Sequence, residues 1–169
     1  MKKILYMAQS ANGYIALPDD ETPWTDSEWA EYEKKVQEVG NIIIGRRTYD
    51  RLTPEGFISI GSPDVVVVTT KDLTPKFPKT HAAHSIEDAC AHLSSKGYNE
   101  CFIGGGSQLN KSALEADLID EIFLDIEPKI FGKGLPLFAE SDINLDLELI
   151  TIRQTGQNTM QLHWRVLHK

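Results

Sequence analysis

The chain predicts an α/β fold built on a mostly parallel central sheet, with helices on both faces and an antiparallel hairpin at the C-terminal end. Three observations support it. Ile4 to Ala8, Asn41-Ile42-Ile43-Ile44, Asp64 to Val68 and Glu100 to Ile103 are short apolar runs of the kind buried on both faces of a parallel sheet. Segments with helical spacing lie between them, and strands alternating with helices define this class. After Leu145 the alternation stops: Leu145 to Arg153 and Met160 to Leu167 flank the turn Thr155-Gly156-Gln157-Asn158.

The elements follow in order. The start, Met1-Lys2-Lys3, is basic and then apolar, but the apolar run stops at Gln9, too short for a signal peptide and suited to a first strand. Ser10-Ala11-Asn12-Gly13 turns the chain, Tyr14-Ile15-Ala16 resumes briefly, and Leu17 to Pro23 is loop. Thr25-Asp26-Ser27-Glu28 starts a helix, in which Glu28 can complete a capping box with Thr25. Helical spacing places Trp29, Tyr32, Val36 and Val39 on one face, and Gly40 ends the helix. After the Ile42–Ile44 strand a second helix runs through Tyr49 and Leu52, and Pro54 to Pro63 reads as loop. Ser85-Ile86-Glu87-Asp88 caps a helix carrying Ala89, Cys90 and Leu93 inward, stopped by Gly97. Leu109, Ala113 and Leu114 mark the helix behind the next strand. Ile119 to Ile126 is a strand among acids, Asp120, Glu121, Asp125 and Glu127. Pro128 to Phe138 is a glycine-rich loop with Lys129 and Lys133.

At 169 residues, 41% of them hydrophobic and 25% charged, the chain reads as one domain, 1–169, able to bury a core without staples. A net charge of -8 argues against a nucleic-acid partner. No stretch approaches membrane-spanning length. Cys90 and Cys101 form no disulfide framework and fit a reduced, cytoplasmic protein. The five histidines have no ligand spacing, so no metal site is expected.

The functional signal lies where strands end. Ile103 runs into Gly104-Gly105-Gly106, with Ser107-Gln108-Leu109 opening a helix. Three glycines are costly to order and are kept where a Cβ would collide or where φ must be positive. At a helix start, free amides and the helix dipole suit a phosphate; a tight turn without ligand is the alternative. Gly45-Arg46-Arg47-Thr48 after Ile44 and Thr69-Thr70-Lys71 after Val68 are two more anion-friendly turns, although solvated arginines and a plain turn would explain each alone. Three such turns at strand C-termini, the edge where α/β sheets bind ligands, point to a ligand with several phosphates, such as a dinucleotide. No GxGxxG follows the first strand, so the unit is not a Rossmann one.

Ser10 to Ala16, Pro23-Trp24, Ile44-Gly45-Arg46-Arg47-Thr48-Tyr49, Val68-Thr69-Thr70 and Ile103 to Gly106 resemble, in order and spacing, the dihydrofolate reductase superfamily. Leu118-Ile119-Asp120-Glu121 and Gly132 to Phe138 are more similar to its riboflavin-biosynthesis reductase branch than to its folate branch. The resemblance spans nearly the whole chain. It implies the dihydrofolate reductase-like three-layer fold, a homodimer, and NADPH as hydride donor to a small heterocycle such as a 5-amino-6-(5-phosphoribosylamino)uracil-like pyrimidine. Alternatives are pterin reduction, a non-catalytic NADP-binding module, and a mononucleotide or sugar-nucleotide enzyme. The resemblance assigns Gly45, Arg46, Arg47 and Thr48 to phosphates, one arginine to the 2′-phosphate, and Thr69, Thr70 and Lys71 to the adenosine end. It assigns Gly104, Gly105, Gly106, Ser107, Gln108 and Leu109 to the pyrophosphate, and Ala8, Ile15 and Ala16 to the nicotinamide. The carboxylate that folate reductases carry on the first helix aligns with Trp29, and Ser62-Pro63-Asp64 stands where their arginine clamp would be, which argues against dihydrofolate. The histidine- and arginine-bearing helix segment and the Asp-Pro-Leu loop of the riboflavin branch are missing too. Asp26 and Glu28 are the candidate acids, with helix capping as the competing role, and Asn12 is the candidate for orienting substrate or water.

Overall fold

The computed structural model describes residues 1–168. Among them the chain runs through β1 (Lys2–Ser10), β2 (Tyr14–Ala16), α1 (Asp26–Val39), β3 (Asn41–Gly45), α2 (Arg46–Arg51), α3 (Pro54–Ser59), β4 (Asp64–Val68) and β5 (Thr80–Ala83). It continues through α4 (Ile86–Ser95), β6 (Glu100–Ile103), α5 (Ser107–Glu115), β7 (Glu121–Glu127), β8 (Leu135–Pro136), β9 (Asp146–Gln154) and β10 (Met160–Leu167). Eight strands form one sheet in the order β5-β4-β3-β6-β1-β7-β10-β9. The first six are parallel, and β10 and β9 add an antiparallel hairpin on β7. β2 pairs with β8 in a separate two-stranded ribbon.

Period-two alternation sends each central strand's side chains to two cores. Ile4 and Tyr6, Ile42 and Ile44, Val65 and Val67, and Phe102 meet Val36 and Val39 of α1, Tyr49 of α2 and Phe57 of α3. Leu5, Ile43, Val66, Cys101 and Ile103 face the other way, onto Ala89 and Leu93 of α4 and Leu109 and Ala113 of α5. The result is the expected three-layer sandwich. Apolar runs that are buried on both faces are the consequence, and the reason these strands show no polar alternation.

Two segments depart from the expectation. Pro54–Ser59 is a helix rather than loop: Thr53 caps it by accepting from Gly56 N at 3.1 Å, and Pro54 occupies the first turn, where its missing N–H costs nothing. Thr80–Ala83 is an edge strand on β4, too short and polar to stand out in the sequence. On α1, Tyr32, Val36 and Val39 face the core as expected, but in the first turn Glu28 is buried and Trp29 is 38% exposed.

Phe102 is fully buried between the ring of Tyr6, stacked at 5.6 Å, and that of Tyr32, edge-on at 5.1 Å. Phe102→Ala is expected to lower stability by about 3–5 kcal/mol, as aromatic truncations in well-packed cores do, read from urea denaturation midpoints.

Candidate active site

The order β4-β3-β6 brings the three glycine- and threonine-bearing turns side by side at the C-terminal edge of the sheet. Two cavities open there, of about 570 Å³ and about 400 Å³. Asp20, Thr48, Gly106 and Leu135 line both, so the two are continuous.

The smaller cavity is walled by Gly45, Arg46, Arg47, Thr48, Val68, Gly106, Ser107, Gln108 and Leu109. Its chemistry comes from helix starts. α1, α3 and α4 each have a Thr or Ser side chain accepting from the first turn, through Thr25, Thr53 and Ser85. α2 and α5 have no such cap: glycine precedes each, Gly45 and Gly106. The orphan amides of α5 therefore open onto the cavity wall, as an anion requires. A Cβ on Gly106 would meet nothing within 4 Å, so the bare glycine leaves backbone open to an incoming group. Arg46 is held by Asp50, at 2.9 and 3.0 Å, and by Asp72 O at 2.9 Å, while Arg47 pairs with Asp20. Both guanidiniums reach the cavity already oriented. Thr69 is buried and accepts from Lys71 N at 3.1 Å, the local turn that threonine makes after a strand. Thr69, Thr70 and Lys71 stand beside Val68, outside the walls of both cavities.

The glycine triplet has a second function. A Cβ on Gly104 would lie 2.8 Å from Tyr32 Oη and 3.0 Å from Ile42 Cδ1, so no larger residue fits. Gly105 has φ of +83° and sits against Met7. Gly45 N donates to Gly105 O at 2.9 Å, which ties two of the turns together.

The larger cavity is mostly apolar and aromatic, with Met7, Ala8, Ile15, Ala16, Trp24, Trp29, Tyr32 and Leu52 in its walls. One buried acid faces it, Glu28, only 1% exposed. The expected capping box is half formed. Thr25 Oγ1 does accept from Glu28 N, at 3.4 Å, but Thr25 N donates to Glu127 Oε2 on β7 at 2.8 Å instead of to Glu28. Glu127 thus takes over the return bond, and the Glu28 side chain turns inward with Oε2 lacking any partner. Burial, aided by the negative charges of Asp125 and Glu127, pushes the Glu28 carboxyl up to about 9. It is a neutral acid at pH 7. Asp125, which accepts from Tyr6 Oη at 2.6 Å and Gln161 Nε2 at 3.3 Å, is raised by burial to about 6.

Asp26 is exposed at the outside of the first turn of α1 and reaches neither cavity. Asn12 also lies outside them; its Oδ1 accepts from Ser10 Oγ at 2.9 Å and Phe131 N at 3.1 Å, and its Nδ2 donates to Phe131 O at 2.7 Å. Asn12 pins the 128–138 loop over the β1–β2 turn, which brings Phe131 within 5.6 Å of Trp24. Sequence reasoning did not single out Asp125, Glu127 or Tyr6 for the site. The available signal was acids at alternate positions of an otherwise apolar strand, which puts Asp125 and Glu127 on the α1 face with Phe123.

A parallel sheet whose C-terminal edge carries an uncapped helix start, two arginines and a neighbouring aromatic cavity with one buried acid has the arrangement of a dihydrofolate reductase-like domain. The sequence pattern of the RibD C-terminal domain matches residues 2–161. The chain is 31% identical to the uncharacterized protein YwjB of Bacillus subtilis (strain 168), over 96% of this chain and 97% of that one. It belongs to the RibD C-terminal domain family. A candidate riboflavin biosynthesis protein of Shewanella sp. PV-4 superposes with a TM-score of 0.79 at 25% identity, over 99% of this chain and all of that one. A Thermotoga maritima diaminohydroxyphosphoribosylaminopyrimidine deaminase/5-amino-6-(5-phosphoribosylamino)uracil reductase has the same fold, with a TM-score of 0.76 at 18% identity; the match covers 98% of this chain and 56% of that one.

Glu28 also ties stability to pH. Its folded-state value lies above that of an unfolded glutamate, so its contribution is fully present below about pH 4.5 and is lost as pH rises through about 9. Within that window Glu28 alone lowers stability by at most about 1.4 kcal/mol per pH unit. Glu28→Gln should flatten this fall, measured by urea denaturation at pH 6, 7.5 and 9; an unchanged slope would place the buried proton elsewhere.

Proposed function

We propose that this protein is an NADPH-dependent reductase that transfers hydride to a small, flat heterocycle in the larger cavity. The pairing of uncapped α5 with Arg46 and Arg47 around the smaller cavity carries the reading. Three helices of this chain cap their own amides with Thr or Ser, while α5 presents bare amides to a cavity and so fits a pyrophosphate. Arg46 donates to both Asp50 oxygens from Nε alone, and a planar guanidinium, with its five donors, suits a 2′-phosphate and is the reason to prefer NADPH over NADH. Ala8, Ile15 and Ala16, in the wall of the larger cavity, provide the apolar shelf for a nicotinamide.

Bound there, the cofactor would supply hydride from C4 of its ring. The chain's own contribution is orientation and a proton. Trp24, Trp29 and Tyr32 present apolar faces to a flat acceptor and exclude water, and the neutral Glu28 carboxyl holds a proton beside it. Pyrimidines related to 5-amino-6-(5-phosphoribosylamino)uracil head the candidate acceptors, on the strength of what the Thermotoga maritima relative's name says it reduces. The buried acid on α1 favours pterins as a second class, since folate reductases carry a carboxylate on this helix.

The site and the free thiols of Cys90 and Cys101, 4.0 Å apart, fit a reduced cytoplasmic setting. We also propose that the chain works as a homodimer. β9 is an edge strand with all nine residues exposed, among them Leu147, Leu149, Ile150 and Ile152. A bare apolar edge of this length is an unprotected pairing template, and the same strand of a second copy satisfies it.

Titration calorimetry with NADPH and NADH tests the cofactor assignment. NADPH should bind at least about tenfold more tightly, the discrimination of about 1.4 kcal/mol that one charge-assisted contact supplies, and Arg46→Ala should abolish the preference. Equal affinities, or none, would overturn the assignment. For the assembly, sedimentation velocity should give twice the 18.9 kDa chain mass, falling to the single-chain mass in Ile152→Lys. A monomeric wild type would refute the dimer.

A further inference from the structure

Three carboxyl groups are buried together beneath the larger cavity, and their hydrogen bonds divide them into two kinds. Glu127 is saturated: Oε1 accepts from Thr159 Oγ1 at 2.6 Å and Thr25 Oγ1 at 3.1 Å, and Oε2 from Thr25 N at 2.8 Å. It fastens the start of α1 to β7 and β10. Glu28 and Asp125 are different. Each has one buried oxygen with no partner, Oε2 of Glu28 and Oδ1 of Asp125.

The surroundings do not allow both of these to be charged. From β1 comes Tyr6, whose hydroxyl donates to Asp125 Oδ2. From α1 come Tyr32 and Glu31, from β7 Glu127, from β10 Gln161, and from β9 Arg153. Arg153 is the only cation of this group, and it sits behind Gln161, donating to Gln161 Oε1 at 2.8 Å and to Glu31 Oε2 at 2.6 Å. Two buried carboxyl groups beside a third, with the nearest cation behind an amide, favour a state in which one of them keeps its proton.

We propose that Glu28 and Asp125 act as a pair holding one proton near neutral pH, in which Asp125, out of reach of the cavity, is the positioning residue that keeps the proton on Glu28. Asp125 forms no cavity wall. Its role is the negative charge it sets behind Glu28, with the Tyr6 and Gln161 bonds fixing that charge on Oδ2. When Glu28 passes its proton to a basic atom of a bound molecule, the pair is left doubly anionic. The Glu28 O–H bond breaks, an N–H or O–H bond forms on the acceptor, and the doubly charged pair recovers a proton from water through the open cavity. The two steps of the pair are those of its raised acids, about 6 for Asp125 and about 9 for Glu28.

This inference rests on the reading of Glu28 as the acid of the reductase site, but its test needs neither cofactor nor substrate. The probe is carboxyl 13C NMR of the whole protein labelled at glutamate Cδ and aspartate Cγ, titrated from pH 4 to 10. Glu28→Gln identifies the Glu28 signal and should remove the step near pH 9 while leaving the Asp125 step near 6 in place. Asp125→Asn keeps shape and hydrogen bonding but removes the charge, and should move the Glu28 step down by about one pH unit or more, the scale of a close buried like-charge pair. A Glu28 step that stays put in Asp125→Asn, or a wild-type Glu28 already ionised at pH 7, overturns the pair. Should Asp125→Asn fail to fold, the wild type and Glu28→Gln still decide, because a coupled pair requires the Asp125 Cγ signal to shift a second time at the Glu28 step in the first and not in the second; an Asp125 signal that ignores that step overturns the pair. NADPH calorimetry on the same samples is independent: failure there removes the reductase reading and leaves the carboxyl titration unaffected.

Discussion

At Gly104, just past the end of β6, the backbone runs so close to α1 that a Cβ would lie 2.8 Å from the Tyr32 hydroxyl and within 3.2 Å of Ile42 and Ile44 side chains. β6 is the strand inserted between β3 and β1, so this close approach sets how α1 lies across the middle of the sheet. Tyr32 is one turn from Glu28, and its ring packs on Tyr6 and Phe102 at 5.6 and 5.1 Å. The depth at which Glu28 is buried therefore follows from the missing side chain at Gly104. Gly105 and Gly106 continue from it into the uncapped start of α5. A single costly run of three glycines thus serves both cavities, spacing the acid-bearing helix on one side and exposing amides on the other.

The two cavities divide the electrostatics between them. The smaller has guanidiniums and bare amides and suits a polyanion. The larger has aromatic walls and an acid that burial keeps neutral. A chain with a formal charge of -8 can present an anion site only by concentrating its cations, and the Asp20, Asp50 and Asp72 contacts of the two arginines keep those groups positioned without a ligand. Glu127, Thr25 and Thr159 perform the complementary task in the acid cluster. They absorb the capping bond that Glu28 would otherwise make, and so release the Glu28 carboxyl toward the cavity.

Most of the architecture was legible from local patterns. The β-branched run Asp64 to Val68, the caps at Thr25 and Ser85 and the glycine stops at Gly40 and Gly97 are short-range signals, and each sits where it was read. The helix at Pro54–Ser59 was hidden because its signal is a single cap and a first-turn proline within a segment rich in loop residues. On α1, helical spacing had the correct period and phase for Tyr32, Val36 and Val39 but not for the first turn. Trp29 looks like the inward residue because it is apolar, while the structure buries Glu28 and leaves Trp29 at the rim.

The sequence by itself determined the alternation of strands and helices, the two-faced burial of the central strands and the glycine- and threonine-bearing turns at their C-terminal ends, because each depends on residues within one turn or one strand of each other. Tertiary structure alone decided that Glu127 rather than Glu28 completes the cap of α1, and that Glu28 and Asp125 share one buried space. Both outcomes depend on β7 pairing with β1 in the register that sets Asp125 beside Ala8 and Glu127 beside Ser10. That register comes from packing between segments far apart in the chain, where the desolvation of a carboxyl depends on which neighbours the fold places around it.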